Sequence, residues 1–316
     1  MGKILSGREG FGQALLEMGS ENEKIVALCA DLAESVKVHF FAEKFPERYF
    51  QIGIAEQDMI GTAAGLALSG YIPFATTYAV FAANRANEQI RLAACYNQAN
   101  VKIAVSHAGL TTGEDGATHQ ALEDIASMRA MPEMTVIVPA DANEAYEATR
   151  ASAELDGPVY LRLGRTPVPT VTKGYGKYKI GKARKVSDGK DVTLIACGIM
   201  VEKAIVASEM LAQEGINAAV VDMHTIKPID EEMIIKQAEE TGCIVTAEEH
   251  SIIGGLGGAV AEVVSENCPV PLVRVGTKDT FGESGPPEEL LKKYGLTSEN
   301  IVEAAKRAMS RKKVNV

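Results

Sequence analysis

Short apolar runs alternate with longer amphipathic stretches along the whole chain. This is the pattern of an α/β protein whose mostly parallel sheets are flanked by helices. Residues 25–30, 50–52, 101–106, 135–138 and 159–163 read as strands, and the stretches between them as helices. The run Asp141-Ala142-Asn143-Glu144 has the form of a capping box opening one of those helices. Both periodicities then stop. Thr166-Pro167-Val168-Pro169 and Lys173-Gly174-Tyr175-Gly176-Lys177 interrupt them, and the chain stays basic and polar to Lys190. We read residues 1–170 as a first domain, 171–190 as a linker and 191–316 as a second domain. In the second, residues 192–196, 216–221, 244–246 and 272–275 read as strands of a smaller sheet. One helix runs from near Asp230 to Gly242. The last starts near Glu299 and ends in basic residues, which suit a helix carboxyl terminus.

Composition narrows the class without naming a function. The chain has 316 residues, 46% hydrophobic and 23% charged, enough for two ordinary cores. A net charge of −10 argues against a nucleic-acid groove or an anionic membrane surface. No run reaches the roughly 20 apolar residues of a membrane span, and the first residues lack the apolar core of a signal peptide. The expected compartment is the cytoplasm. Five widely spaced cysteines include no Cys-x-x-Cys pair, so neither a zinc site nor a redox motif is indicated. Cys29 reads as a buried strand thiol.

Four segments carry candidate chemistry. Gly53-Ile54-Ala55-Glu56-Gln57-Asp58-Met59 joins a strand to a small-residue helix, which aims Glu56 at the crevice where α/β ligands sit. A carboxylate there could equally serve only the helix dipole. In Thr76–Arg85, Tyr78 and Phe81 are three apart and would share a helical face, able to stack on a flat heterocycle or simply to fill core. Ser106-His107-Ala108-Gly109 and Gly113-Glu114-Asp115-Gly116-Ala117-Thr118-His119-Gln120 gather histidines, acids and glycines after a strand, as ligand loops do. Tyr160-Leu161-Arg162-Leu163-Gly164-Arg165 places two guanidinium groups at a strand end, suited to a phosphate or carboxylate or to a surface ion pair.

Taken in order, Gly-Ile-Ala-Glu-Gln-Asp-Met, Ser-His-Ala-Gly and Gly-Glu-Asp-Gly-Ala-Thr-His-Gln resemble the pyrimidine-binding domain of transketolase, and the second series resembles that family's carboxyl-terminal domain. The resemblance implies thiamine diphosphate as cofactor. Glu56 would hydrogen-bond the aminopyrimidine, and Tyr78 and Phe81 would stack against it, with Asn84 at a position that is aromatic in some members. His119 would transfer protons at the sugar hydroxyls and Asp115 would read a donor hydroxyl. Arg8, Ser35, His107 and Arg165 would hold the substrate phosphate, the Ser35 match being loose. His39, His224 and His250 match no role and read as structural. The family holds the diphosphate through Mg2+ or Ca2+ on a Gly-Asp-Gly motif, which this sequence lacks. The resemblance therefore implies the carboxyl-terminal half of a split transketolase. An amino-terminal partner would supply the metal site, two copies of each half would form a heterotetramer, and the substrates would be sugar phosphates. The beta subunit of a 2-oxo-acid dehydrogenase, a deoxyxylulose-phosphate synthase-like enzyme and a non-catalytic homologue are the competing readings. Gly254-Gly255-Leu256-Gly257-Gly258 has the wrong spacing for a dinucleotide motif and reads as a tight strand-to-helix loop.

Overall fold

The computed structural model describes residues 4–312. Fourteen strands lie in chain order among these residues: β1 (Ile4–Leu5), β2 (Ile25–Cys29), β3 (Tyr49–Gln51), β4 (Ile72–Tyr78), β5 (Lys102–Ser106), β6 (Thr135–Ile137), β7 (Val159–Arg162), β8 (Val168–Pro169), β9 (Arg184–Ser187), β10 (Val192–Ala196), β11 (Ala218–Asp222), β12 (Thr225–Lys227), β13 (Ile244–Ser251) and β14 (Leu272–Thr277). They form a seven-stranded sheet in the order β12-β6-β7-β5-β4-β2-β3, a five-stranded sheet β14-β13-β10-β11-β9, and the small pair β1-β8. Only the edge strands β12 and β9 run antiparallel in the two large sheets. The chain is thus two α/β modules with mostly parallel sheets flanked by helices.

Strands β2, β5, β7 and β10 are buried at every residue, as a sheet covered on both faces requires. Cys29 is one of these core residues, and burial pushes its thiol up from its ordinary value. The helices Gly7–Glu21 and Ala142–Glu154 cover one face of the first sheet and touch at Gly10, where an added Cβ would come 2.0 Å from the Ala142 carbonyl oxygen. Asp141 caps the second of these helices by accepting from the Glu144 amide at 3.0 Å. Glu144 reaches back one residue further than a capping box predicts, to the Ala140 amide at 2.8 Å.

Three features differ from the sequence pattern. The central strand β4 lies in a stretch read as helical, because Pro73 and the following threonines hide its alternation. Tyr78 therefore ends a strand, and Phe81 opens a stretch of π-type helix, Phe81–Arg85. The second departure is β9, which lies within the polar stretch 171–190 and forms an edge of the second sheet. Finally, β12 follows β11 in the second series but pairs with β6 of the first sheet. The glycine loop after β13 opens the helix Leu256–Asn267, and the Glu248 carboxylate accepts from its first amides, Leu256 at 2.7 Å and Gly257 at 2.8 Å.

Candidate active site

Parallel register sets the site. Cys29 lies beside Gln51 and Thr76, Tyr78 beside Ser106, and Val105 beside Arg162, so five strands end along one edge. The segments that leave β2, β3, β4, β5 and β7 there carry Ser35, Glu56, Phe81, His107 with His119, and Arg165. This is the carboxyl-end crevice in which open α/β sheets bind ligands. Arg8 joins them from the first turn of the Gly7–Glu21 helix, donating to the Ser35 carbonyl at 2.7 Å and the Arg165 carbonyl at 2.9 Å.

Glu56 is the first residue of the helix Glu56–Leu68 and is 1% exposed. Its Oε2 accepts from Arg85 Nη1 at 2.8 Å, and the Arg85 side chain is 46% exposed. Arg85 also lies over the Phe81 ring, 4.6 Å from its centroid, while its carbonyl accepts from Gln57 Nε2 at 3.0 Å. The Tyr78 and Phe81 rings are stacked with centroids 5.8 Å apart, although they come from a strand end and a helical turn rather than one helical face. His107 stacks on Tyr78 at 3.8 Å, and His119 stands edge-on to Phe81 at 5.3 Å. Asn84 points elsewhere and donates to Glu123 Oε1 at 2.9 Å.

The histidines differ in setting. His107 is buried, has φ +55°, and meets Ser106 Oγ at 2.9 Å. Burial, then the Arg8 and Arg165 guanidiniums and His119, push its pKa down to about 3, so the ring is neutral at ordinary pH. His119 is half-buried, with Nδ1 2.9 Å from Thr118 Oγ1. Asp115 is exposed, and its carboxylate lies 4.0 Å from Arg165 Nη1, which also donates to Glu114 at 3.1 Å and to the Thr112 carbonyl. Burial and the neighbouring Arg165 together lower the Arg8 pKa from its ordinary value. Two neighbouring cations favour an anion beside them.

Arg162 does not belong to this group. Its Nε donates to Asp124 Oδ2 at 2.7 Å and its Nη2 to Asp124 Oδ1 at 3.2 Å, with Arg162 5% and Asp124 1% exposed. It is neither a ligand-facing guanidinium nor a surface ion pair, because its side chain leaves β7 toward the second module. Two cavities, about 550 and 790 Å3, also lie away from the site, the first beside Arg129 and Lys227 and the second beside Phe40 and Tyr146. Among the described residues, no group of three or more His, Cys, Asp or Glu side chains is placed to hold a metal ion.

Comparison with known proteins settles the family. Residues 4–170 match the transketolase pyrimidine binding domain and residues 181–301 the transketolase C-terminal domain. The chain belongs to the transketolase family. It is similar to a transketolase C-terminal section of Methanocaldococcus jannaschii, with 49% identity over 97% of this chain and 96% of that protein. A 6-deoxy-6-sulfo-D-fructose transketolase subunit of a Clostridium species is 44% identical over 96% of this chain and 95% of its own length. Among solved structures, a split-gene transketolase described as an inactive β4 tetramer superposes with a TM-score of 0.92 and 53% identity, covering 98% of this chain and 100% of that one. The transketolase subunit to which the sequence points is thus the carboxyl-terminal section, a member of a family of ketol transferases.

As a transketolase section, the chain offers a site that fits an aminopyrimidine. A nearly inaccessible carboxylate paired with an exposed cation can exchange that partner for a ring nitrogen. The stacked pair Tyr78–Phe81 provides a flat apolar wall beside it. Arg85 closes the aromatic segment, and its spacing of four from Phe81 is the signal that places it near the same wall. Glu249, which accepts from the Thr111 amide within the His107–His119 loop, carries no local signal in the sequence.

Proposed function

We propose that this chain is the carboxyl-terminal subunit of a two-subunit transketolase. It would transfer a two-carbon ketol unit between sugar phosphates, as in the pentose phosphate pathway of the cytoplasm. An amino-terminal subunit would bring the Gly-Asp-Gly site for Mg2+ or Ca2+ and the cofactor's diphosphate, two copies of each subunit assembling. The observation that carries this reading is Glu56, buried to 1% exposure beside the stacked Tyr78–Phe81 wall. A buried acid beside such a wall is preorganised to polarise a flat basic heterocycle.

Thiamine diphosphate, when bound, supplies the carbon nucleophile for ketol transfer. Glu56 holds the aminopyrimidine nitrogen, and Tyr78 and Phe81 fix the plane of the ring. His119, half-buried and hydrogen-bonded at Nδ1, is left with Nε2 to exchange a proton with a sugar hydroxyl. Asp115 accepts from a donor hydroxyl. Arg8 and Arg165 carry the charge that binds the sugar's terminal anion, with Ser35 and neutral His107 contributing polar contacts. His107 suits this role better than proton transfer, since its pKa of about 3 leaves it a poor base near neutrality. The sulfonated sugar named for the Clostridium relative is the competing donor, because a sulfonate presents a similar anionic end.

The test is reconstitution with an amino-terminal subunit that carries the Gly-Asp-Gly motif, followed by a ketol-transfer assay with phosphorylated and sulfonated donors. Activity should appear only in the mixture. Transfer by the purified chain alone, given thiamine diphosphate and magnesium, would overturn the two-subunit reading.

A further inference from the structure

We infer that Glu249, on the second module, is a positioning residue that sets the substrate loop of the first, so that the second module acts in catalysis by holding this loop. The inference rests on reading residues 107–120 as the substrate loop.

Glu249 leaves β13 toward the first sheet and is 4% exposed. Its Oε1 accepts from the Thr111 amide at 2.5 Å, inside the tight turn Leu110–Asp115. The contact is close. Gly109, at φ +83°, takes a backbone conformation that favours glycine, and an added Cβ would lie 2.3 Å from the Glu249 carboxyl carbon and push it aside. Burial pushes the Glu249 carboxyl up to about 7, while the Arg162 guanidinium and the Thr111 amide pull the other way. An oxygen of this group can accept from Thr111 in either protonation state. The base of the carboxylate is fixed in turn, because the Glu249 carbonyl accepts from Arg162 Nη2 at 3.0 Å.

A second anchor comes from the same module. Gln120 Nε2, buried at the far end of the loop, donates to the Glu283 carbonyl at 2.9 Å and to the Leu110 carbonyl at 3.2 Å. Between these two anchors lie Asp115 and His119, and His107 lies just before the first. Arg165 donates into the same turn, at the Thr112 carbonyl. Glu56, Tyr78 and Phe81 stand on other elements. A shift of the loop would therefore misplace first the groups assigned to the sugar, and would reach Tyr78 and Phe81 only through their ring contacts with His107 and His119. Misplacement by about 1 Å is enough to cost on the order of 100-fold in rate.

The experiment compares the wild-type chain with Glu249→Asp, which keeps the charge but withdraws the oxygen by one methylene, and Glu249→Gln, which keeps reach and acceptor. In the chain alone, amide hydrogen exchange at Thr111 should quicken about tenfold or more in Glu249→Asp and return in Glu249→Gln. In the reconstituted complex, the donor KM should rise about tenfold in Glu249→Asp, the cofactor concentration for half-saturation should move far less than the donor KM, and Glu249→Gln should restore the donor KM. Should Glu249→Asp not fold, Glu249→Ala, which removes the acceptor along with the buried carboxyl, should give the same split between donor and cofactor. Unchanged Thr111 exchange with unchanged donor KM would overturn the inference. So would donor and cofactor affinities falling together, as general loosening predicts. A wild-type complex without ketol transfer would sink the functional reading instead, and the exchange measurement would still decide the anchoring.

Discussion

Two buried carboxylates, Asp124 and Glu56, are each paired with one arginine, and the pairs serve opposite ends. Both acids are 1% exposed. Arg162, the partner of Asp124, is 5% exposed and also donates to two carbonyls, while Tyr160 adds a hydroxyl to Asp124 at 2.9 Å. Burial works to raise the Asp124 carboxyl, yet Arg162 and its hydrogen bonds hold it below its ordinary value. Arg85, the partner of Glu56, is 46% exposed and keeps its guanidinium at the water's edge. The first pair is closed on all sides and can only be structural. The second joins an inaccessible acid to a replaceable cation, which is what a site awaiting another ligand needs. The contrast lies in the partner's exposure rather than in the acid's.

The sharpest way to break this comparison is to remove each acid. Asp124→Ala leaves a buried guanidinium without its counter-charge, which costs about 3–5 kcal/mol, and urea denaturation of the chain should show a loss of that size. A loss under 1 kcal/mol would put the closed pair in the same class as the open one. Glu56→Gln should cut ketol transfer by the reconstituted enzyme on the order of 100-fold to 1,000-fold, with assembly intact by size-exclusion chromatography. Unchanged turnover would remove Glu56 from the chemistry.

A smaller effect should appear with pH. His107 and His224 have their pKa values pushed down to about 3 in the fold, chiefly by burial. In the unfolded chain each takes up a proton near 6.5, so their contribution is complete above that pH and is lost as pH falls from 6.5 toward 3. Asp222, raised from 3.8 to about 7 by burial, works in the opposite direction, its contribution fading as pH rises from 3.8 to about 7. Comparing His224→Phe with the wild-type chain isolates one histidine, and the variant's urea midpoint should fall less steeply between pH 6.5 and 4. The smallest change belongs to the open pair. Arg85→Ala should alter stability by no more than about 1 kcal/mol, since loss of a half-exposed side chain lets water reach the Glu56 carboxylate in its place. A larger loss in a thermal melt would mean that Arg85 is structural.

Much of the fold was legible because periodicity is a local property. Strands β2, β5, β7, β10 and β14 fall on their apolar runs, and the loop after β13 on its glycines. The candidate site was legible where chemistry is concentrated, at Glu56 in its strand-to-helix turn and at His107 through His119 in one glycine-rich loop, segments that the fold brings to one sheet edge. The hidden parts depend on partners distant in sequence. β4 is a strand because β2 and β5 flank it. β12 leaves its own series because β6 has an open edge. Arg162 and Arg165 stand three residues apart and look alike, yet alternation along β7 sends the first into Asp124, while the second follows the strand's end toward Arg8.

The sequence by itself determined the class, two α/β modules, and through the order of its motifs the transketolase family. Those signals are written in neighbouring residues. Only the tertiary structure decided which charges are closed and which are open, and that the second module reaches through Glu249 and Glu283 to the loop of the first. Burial and long-range hydrogen bonds set those outcomes, and they exist only once segments far apart in the chain are brought together.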